Sequence, residues 1–231
     1  MRSLLARMWD AAEEENLRNI ERGLSLRGRR DSLLDLGCDD GVRTLRFARA
    51  AHAAELHGVE LVEARAALAE ERGIRVAIGD LRDPLPYEDA RFGAVVSNQV
   101  IEHLAGTDRF VAEIRRVLRP GGIAVVSTEN LASWHNIAAL LLGWQPFSLT
   151  NVSSTRSGLG NPVALHRAED QAGRESWQHV RVFSYRGLRE LFEAHSFSVV
   201  HVLGAGYYPL PARVGRVEPR HAAFLTVVAT A

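Results

Sequence analysis

Four acidic side chains and a pair of glycines set the chemistry open to this sequence. Gly37-Cys38-Asp39-Asp40-Gly41 reads as a tight turn, Glu60 stands about 20 residues beyond its start, and Asp80 follows Gly79. A Gly-x-Gly-x-x-Gly dinucleotide fingerprint is not met, because the third position is Asp39 and the sixth is Val42. A pyrophosphate laid on this turn would also meet Asp39 and Asp40, like charges in its way. The same aspartates favour a cationic or amine-bearing ligand. A carboxylate at Glu60 suits two ribose hydroxyls, and one at Asp80 can accept from an adenine amino group. The ligand implied carries ribose and adenine, no phosphate, and a positive charge. Each acid taken alone also reads as a solvated loop carboxylate; their order along the chain is what argues for a site.

The elements that must position these groups follow from the hydrophobic pattern. Leu33, Leu34 and Leu36 form a short apolar run, a strand buried on both faces. Gly37 and Gly41 close it, and a periodic segment over 42–53 opens a helix whose free N–H groups point into the same crevice. A turn that bends sharply and lets a ligand lie against it has no room for a Cβ. Upstream, 3–26 reads as a helix ended by Gly23 or Gly28. Downstream come a strand at 54–60, a helix at 63–72 and strands at 74–78 and 92–97. Helical pieces follow near 100–104 and 107–118, the second capped by Thr107 or Asp108, and a fifth strand spans 123–127. This alternation predicts a doubly wound α/β sheet. Residues 129–182 break the rhythm, with an apolar helix at 133–142, a polar loop at 148–162 and Trp134, Trp144 and Trp177. An excursion of that length reads as a functional surface. Regularity returns with a helix from Ser184 to His195 and strands at 197–203 and 224–229.

Composition narrows the classes. At 231 residues, 46% apolar and 24% charged, the chain suits one globular domain. No internal repeat or second boundary is present, so 1–231 reads as a single domain, with 1–28 as a helical lid and 129–182 as a substrate-side insertion. The 28 basic residues, all arginine, balance 28 acidic ones. Zero net charge argues against a nucleic-acid or anionic-membrane footprint. The lone Cys38 excludes an internal disulfide and fits a reducing, cytoplasmic setting. Glu13–Glu15 arrive too early for a signal peptide, and no run nears the ~18 apolar residues of a membrane span.

Over nearly its whole length the chain resembles the class I S-adenosylmethionine (SAM)-dependent methyltransferases. The resemblance rests on Leu-Leu-Asp-Leu-Gly-Cys-Asp-Asp-Gly, Val59-Glu60, Gly79-Asp80-Leu81, and Pro84-Leu-Pro-Tyr-Glu-Asp-Ala-Arg-Phe. Ser97-Asn-Gln-Val-Ile-Glu-His-Leu and Val117-Leu-Arg-Pro-Gly-Gly complete it, in the right order and spacing. It implies a Rossmann-like, seven-stranded, mostly parallel sheet whose last strand, 224–229, runs antiparallel, with an insertion after strand five. It implies SAM as cofactor. The turn, with Asp35, Gly37, Cys38, Asp39 and Gly41, would hold the methionine part, with Asn98 beside it. Glu60 would hold the ribose, with Leu61 next to it, and Asp80 and Leu81 the adenine. Asp39 stands where the family usually has Gly, and Gly93 where it often has Asp.

A sulfonium methyl is already electrophilic, so the protein's main task is alignment, which can supply ~7–11 kcal/mol. An oxygen acceptor, the expected one, gains further from a general base. His103 and His135 are the candidates; a packing or capping role is the alternative for His103. The ubiquinone-pathway O-methyltransferases resemble this segment but carry Glu three residues before the Glu-His pair. Gln99 stands there instead, leaving Glu102 and His103 as two donors, and no metal is expected. The insertion's rings with Trp9, edged by Asn136, Asn151, His166 and His179, would suit a small-molecule acceptor such as a sugar, a glycolipid head group or an aromatic natural product; equally, the rings could be the insertion's own core. The insertion and Tyr207-Tyr208-Pro-Leu-Pro are loosely similar to methyltransferases of bacterial glycan pathways. Asp39 keeps open a SAM-binding module of the same fold without efficient turnover. A nicotinamide dehydrogenase conflicts with the broken fingerprint. A nucleic-acid methyltransferase lacks its Asn-Pro-Pro-aromatic motif, Asn98-Gln-Val-Ile standing there instead.

Overall fold

The computed structural model describes residues 4–26, 28, 30–153, 155, 156, 158–164 and 178–231. His166 and Trp177 lie outside them. Among the described residues, seven strands form one sheet in the order β3-β2-β1-β4-β5-β7-β6. These are β1 (Ser32–Leu36), β2 (Glu55–Glu60), β3 (Arg75–Ile78), β4 (Phe92–Asn98), β5 (Leu118–Glu129), β6 (Ser198–Ala205) and β7 (Phe224–Thr230). β1 pairs in parallel with β2 and β4, and β4 with β5. β7 runs antiparallel to both β5 and β6. The expected doubly wound sheet with its antiparallel last strand is therefore present.

The helices are α1 (Leu4–Ser25), α2 (Val42–Ala51), α3 (Glu63–Glu71), α4 (Thr107–Val117), α5 (Trp134–Leu141) and α6 (Tyr185–Ala194). Alternation along the strands sends side chains to two cores, as a sheet covered on both faces requires. Leu34, Leu36, Val95, Ala124 and Val126 meet α4 and α6 on one face. Leu33, Ala94, Val96, Ile123 and Val125 meet α1 and α2 on the other.

Some boundaries differ from the sequence reading for visible reasons. Gly23 lies inside α1, which ends at Ser25. α4 is preceded by Gly106 with no side-chain cap, so Thr107 and Asp108 are already helical. The last strand before the excursion begins at Leu118 and carries Pro120-Gly121-Gly122 along a β4 edge whose register shifts between Phe92 and Ala94. Ser184 does cap α6, its hydroxyl accepting from the Gly187 N–H at 3.4 Å.

α1 is anchored to the sheet over most of its length. Ala12, Ile20 and Leu24 are fully buried. Buried Asn19 donates to the Gly204 carbonyl at 3.0 Å, and buried Glu15 pairs with Arg22 and Arg216. Of the segment expected to act as a lid, Trp9 is the ring that reaches the carboxyl edge, where it packs edge-on against Phe224 with centroids 5.2 Å apart.

Candidate functional site

In this strand order the chain reverses direction of growth between β1 and β4, and the crevice at the carboxyl ends of those strands is where doubly wound sheets bind ligands. A cavity of about 310 Å³ lies there, lined by Asp35, Gly37, Cys38, Asp39, Asp40 and Asn98 together with Val42, Arg43 and Phe47 of α2. Asn98, separated in sequence from the turn by the whole of β2, α3 and β3, thus meets it at one crevice.

The turn is built by the protein's own packing. Gly37 and Gly41 both have φ 81°, where a Cβ is strained. A Cβ on Gly37 would stand 2.6 Å from Val100 Cγ2, and one on Gly41 would stand 2.5 Å from Ile74 Cδ1. The atoms a Cβ would strike belong to the protein, so packing alone already requires glycine at both positions. Asp39 also adopts a left-handed φ of 49°, the conformation for which Gly is the easiest residue and Asp a tolerated one. Its carboxylate is 61% exposed and pairs with Arg65, which also reaches Asp40 at 3.5 Å. The Arg65 guanidinium holds the Asp39 carboxyl below its usual range. The argument that Asp39 and Asp40 favour a cationic ligand is weakened accordingly, since Arg65 reaches both carboxylates and balances one of the two charges.

Glu60 has a second duty. Its Oε2 accepts from the Asp39 N–H and its Oε1 from the Val62 N–H, each at 2.9 Å, so the end of β2 grips the turn after β1. One further lone pair per oxygen remains for hydroxyls. Leu61 beside it is 47% exposed. Asp80 accepts from the Arg82 N–H at 2.9 Å and chelates the Arg82 guanidinium, which holds its carboxyl below the usual range. Leu81 packs against the main core. Glu60, Leu61, Asp80 and Leu81 therefore continue from the cavity along the ends of β2 and β3 and do not line it. Asp35 is buried, its Oδ2 accepting from the Thr44 hydroxyl at 2.6 Å; burial pushes its carboxyl up to about 7. Burial likewise pushes the Cys38 thiol far up, so it is no nucleophile at neutral pH.

Asn98 is held by a residue the sequence reading passed over. Asn16 of α1 donates to Asn98 Oδ1 at 3.0 Å, while its own Oδ1 accepts from Ser127 at 2.7 Å and Thr226 at 3.0 Å. The sequence signal was an Asn midway between Ala12 and Ile20, on the helix face those residues bury.

A second cavity, about 130 Å³, opens where β5 and β7 leave α1 and the excursion after β5. Its lining includes Trp9, Glu129, His135, Phe147, Tyr208 and Phe224. The His135 ring packs edge-on against Phe147 and Tyr208 at 5.3 and 5.1 Å. Burial alone lowers the His135 imidazole to about 4, and the Tyr208 hydroxyl is buried with no hydrogen-bond partner among the described residues. Of the expected polar edge, Asn136 is taken up by Asn130 and Ser148 within the excursion. Glu129, which sequence reasoning missed, was visible only as an acid shortly after the apolar run 123–126.

The two candidate bases part here. His135 lines the second cavity; His103 lines neither. Its Nδ1 donates to the Gln178 carbonyl at 3.1 Å, and its ring meets that of His179, centroids 4.8 Å apart. Burial and His179 lower it to about 4. Neighbouring Glu102 is fully buried and pushed up to about 8 by that burial.

A family model described as a methyltransferase domain matches residues 34–126. The chain is 34% identical over 170 residues to a probable SAM-dependent methyltransferase of Mycolicibacterium smegmatis, covering 73% of this chain and 61% of that protein. It is 28% identical over 125 residues to a ubiquinone biosynthesis O-methyltransferase of Maricaulis maris, covering 49% and 48%. The chain thus spans less than two thirds of either relative's length. A solved Burkholderia thailandensis 1,6-didemethyltoxoflavin-N1-methyltransferase with bound 1,6-didemethyltoxoflavin and S-adenosylhomocysteine shares the fold, with a TM-score of 0.58 at 20% identity, covering 93% of this chain and 77% of that one.

Proposed function

We propose that this chain, which belongs to the class I SAM-dependent methyltransferase family, transfers a methyl group from SAM to the oxygen of a small, ring-sized acceptor. One observation carries the reading: the crevice at the β1–β4 switch point, with Gly37, Cys38 and Asn98 on it and Glu60 beside it, is neighbour to a separate aromatic-walled cavity at the end of β5. Asn98 pairs in register with Ser127, and Glu129 is two residues further along β5. That places the two backbones roughly 8 Å apart, within reach of one another's side chains.

The residues in the first crevice and along the strand ends beside it are of types that suit the cofactor. Gly37, Cys38 and Asn98 would hold its methionine end, Glu60 its ribose, and Leu61, Asp80 and Leu81 its adenine. When bound, it supplies an electrophilic sulfonium methyl. The chain's own part is to orient and dehydrate. Five rings wall the acceptor cavity, whose 130 Å³ is close to the ~150 Å³ of a cavity that takes benzene. With Asn136 committed to scaffold, that lining favours an apolar or aromatic ring bearing a hydroxyl over a sugar. As the acceptor oxygen forms its bond to carbon and the carbon–sulfur bond breaks, the hydroxyl proton must leave. His135 and Glu129 are the receivers in the cavity wall. Protonating buried His135 creates a cation there, whereas protonating Glu129 removes a charge, so burial favours the carboxylate.

Among the described residues no helix is long and apolar enough to cross a membrane; a cytoplasmic setting belongs to the proposal, supported by the lone thiol. The test is calorimetric titration with SAM and S-adenosylhomocysteine, followed by a panel of phenols and sugar alcohols assayed for S-adenosylhomocysteine release. The reading expects binding of both and turnover of phenols. Absence of SAM binding removes it, and turnover confined to sugar alcohols overturns the acceptor class.

A further inference from the structure

A side-chain cluster that the methyl-transfer reading does not use lies behind the wall of the second cavity. Glu102 and His103 stand on the 3-10 turn after β4 (Ile101–His103), and His179 comes from the far end of the excursion. One donor atom from each lies within 4.8 Å of the others. We propose that Glu102, His103 and His179 form a binding site for one divalent transition-metal ion of zinc type, which fastens the end of the excursion to the turn after β4.

The donors are set up as such a site requires. Each imidazole has its Nδ1 against a backbone carbonyl, His103 against Gln178 at 3.1 Å and His179 against Ser148 at 2.7 Å. A carbonyl only accepts, so both Nδ1 atoms carry the proton and both Nε2 lone pairs remain for a ligand. Anchoring of this kind fixes the tautomer of metal-binding histidines. Among the described residues no hydrogen bond reaches either Nε2. Glu102 is fully buried; its Oε2 accepts from the Thr128 hydroxyl at 2.9 Å, while Oε1 has no partner among the described residues. A buried carboxylate oxygen without a donor is rare, and a cation is one way to satisfy it.

Backbone contacts already bring the pieces together. The Val180 and Arg181 N–H groups donate to the Glu102 carbonyl at 2.8 and 3.1 Å, and the Arg181 guanidinium donates to the Ala105 carbonyl at 2.9 Å. Donors on one tetrahedral zinc stand roughly 3.3 Å apart, so donors within 4.8 Å of one another must draw in by up to about 1.5 Å when an ion binds. Two imidazoles and one carboxylate suit a borderline ion rather than Mg²⁺ or Ca²⁺, which prefer oxygen shells. The expectation of no metal counted donors along 99–103 alone; the third arrives only through the fold. This inference stands whether or not the chain transfers methyl groups.

The test uses tag-free protein freed of metal by chelation. Zn²⁺ bound after gel filtration is measured by mass spectrometry, and Co²⁺ serves as a visible-absorption probe. The proposal expects one Zn²⁺ per chain, the absorption bands of a four-coordinate Co²⁺ site with nitrogen and oxygen donors, and a rise in melting temperature on adding Zn²⁺. His179→Ala, His103→Ala and the isosteric Glu102→Gln should each weaken Zn²⁺ binding at least tenfold, while His195→Ala leaves it unchanged. Wild-type protein that holds no Zn²⁺ overturns the proposal without reference to any variant. So does a folded His103→Ala/His179→Ala double variant that binds Zn²⁺ as the wild type does.

Discussion

The Glu60 carboxylate accepts from the backbone N–H of Asp39 at 2.9 Å, so the residue assigned to the ribose also holds the turn assigned to methionine. Glu60→Ala removes this bond and the one from Val62, a loss of about 1–2 kcal/mol at a partly exposed site. Affinity for SAM should fall by more than that stability loss explains, at least tenfold at a temperature where the variant is fully folded. Calorimetry alongside chemical denaturation separates the two effects. Unchanged SAM affinity in a folded variant removes the ribose assignment.

Gly37 and Val100 test whether the turn is fixed by packing. Gly37→Ala places a Cβ 2.6 Å from Val100 Cγ2 at a φ of 81°, which together should cost ~2–4 kcal/mol. Adding Val100→Ala relieves the contact but leaves the dihedral strain, so the double variant should recover part of the loss relative to Val100→Ala alone. Denaturant melts of the four proteins form the cycle. Strict additivity would mean that Val100 is not what excludes the side chain.

The sheet and the turn were legible because both are local. Apolar runs such as Leu33–Leu36 and Phe92–Ser97 mark strands buried on both faces, and every strand of the sheet overlaps its expected span, β5 alone starting five residues early at Leu118. Pairings across the sequence were not legible. Nothing near Asp39 announces that Arg65, in the first turn of α3, will pair with it. Asn16 could be seen as a polar residue on a buried helix face, but not as the partner of Asn98, Ser127 and Thr226. His103 reads as a base from its place after strand four, and only the return of the chain at Gln178–Arg181 turns it towards His179. Spacing reports which residues share an element; it carries no information on which elements close over one another.

Asp35 gives the fold a pH dependence with a definite sign. Burial lifts its carboxyl to about 7, against the pull of the Thr44 hydroxyl, from the ordinary aspartate value of 3.8. Between those values the folded protein keeps a proton that the unfolded chain has lost, so this residue's contribution to stability falls as pH rises and levels off above about 7. At ~1.4 kcal/mol per unit, Asp35→Asn should gain roughly 2–3 kcal/mol over the wild type between pH 5 and pH 7. Denaturant melts of ligand-free protein at several pH values follow the difference. A constant offset across that range would show Asp35 ionised throughout in the fold.

Tyr208 distinguishes an acceptor cavity from a core that happens to be aromatic. Its hydroxyl is buried beside Glu129 and has no hydrogen-bond partner among the described residues, and such a group is a liability of about 1–3 kcal/mol in a site that only packs. Tyr208→Phe removes the hydroxyl and keeps the ring that meets His135 at 5.1 Å. The ligand-free variant should therefore be as stable as the wild type or more so. If the cavity takes the acceptor, the hydroxyl finds its partner there, and the same variant should raise the acceptor KM about tenfold while leaving SAM affinity untouched. Melting curves and steady-state kinetics on one variant thus pull apart the two roles. A more stable protein with unchanged KM would make the rings of Trp9, Phe147, Tyr208 and Phe224 the core of the excursion and move the acceptor elsewhere.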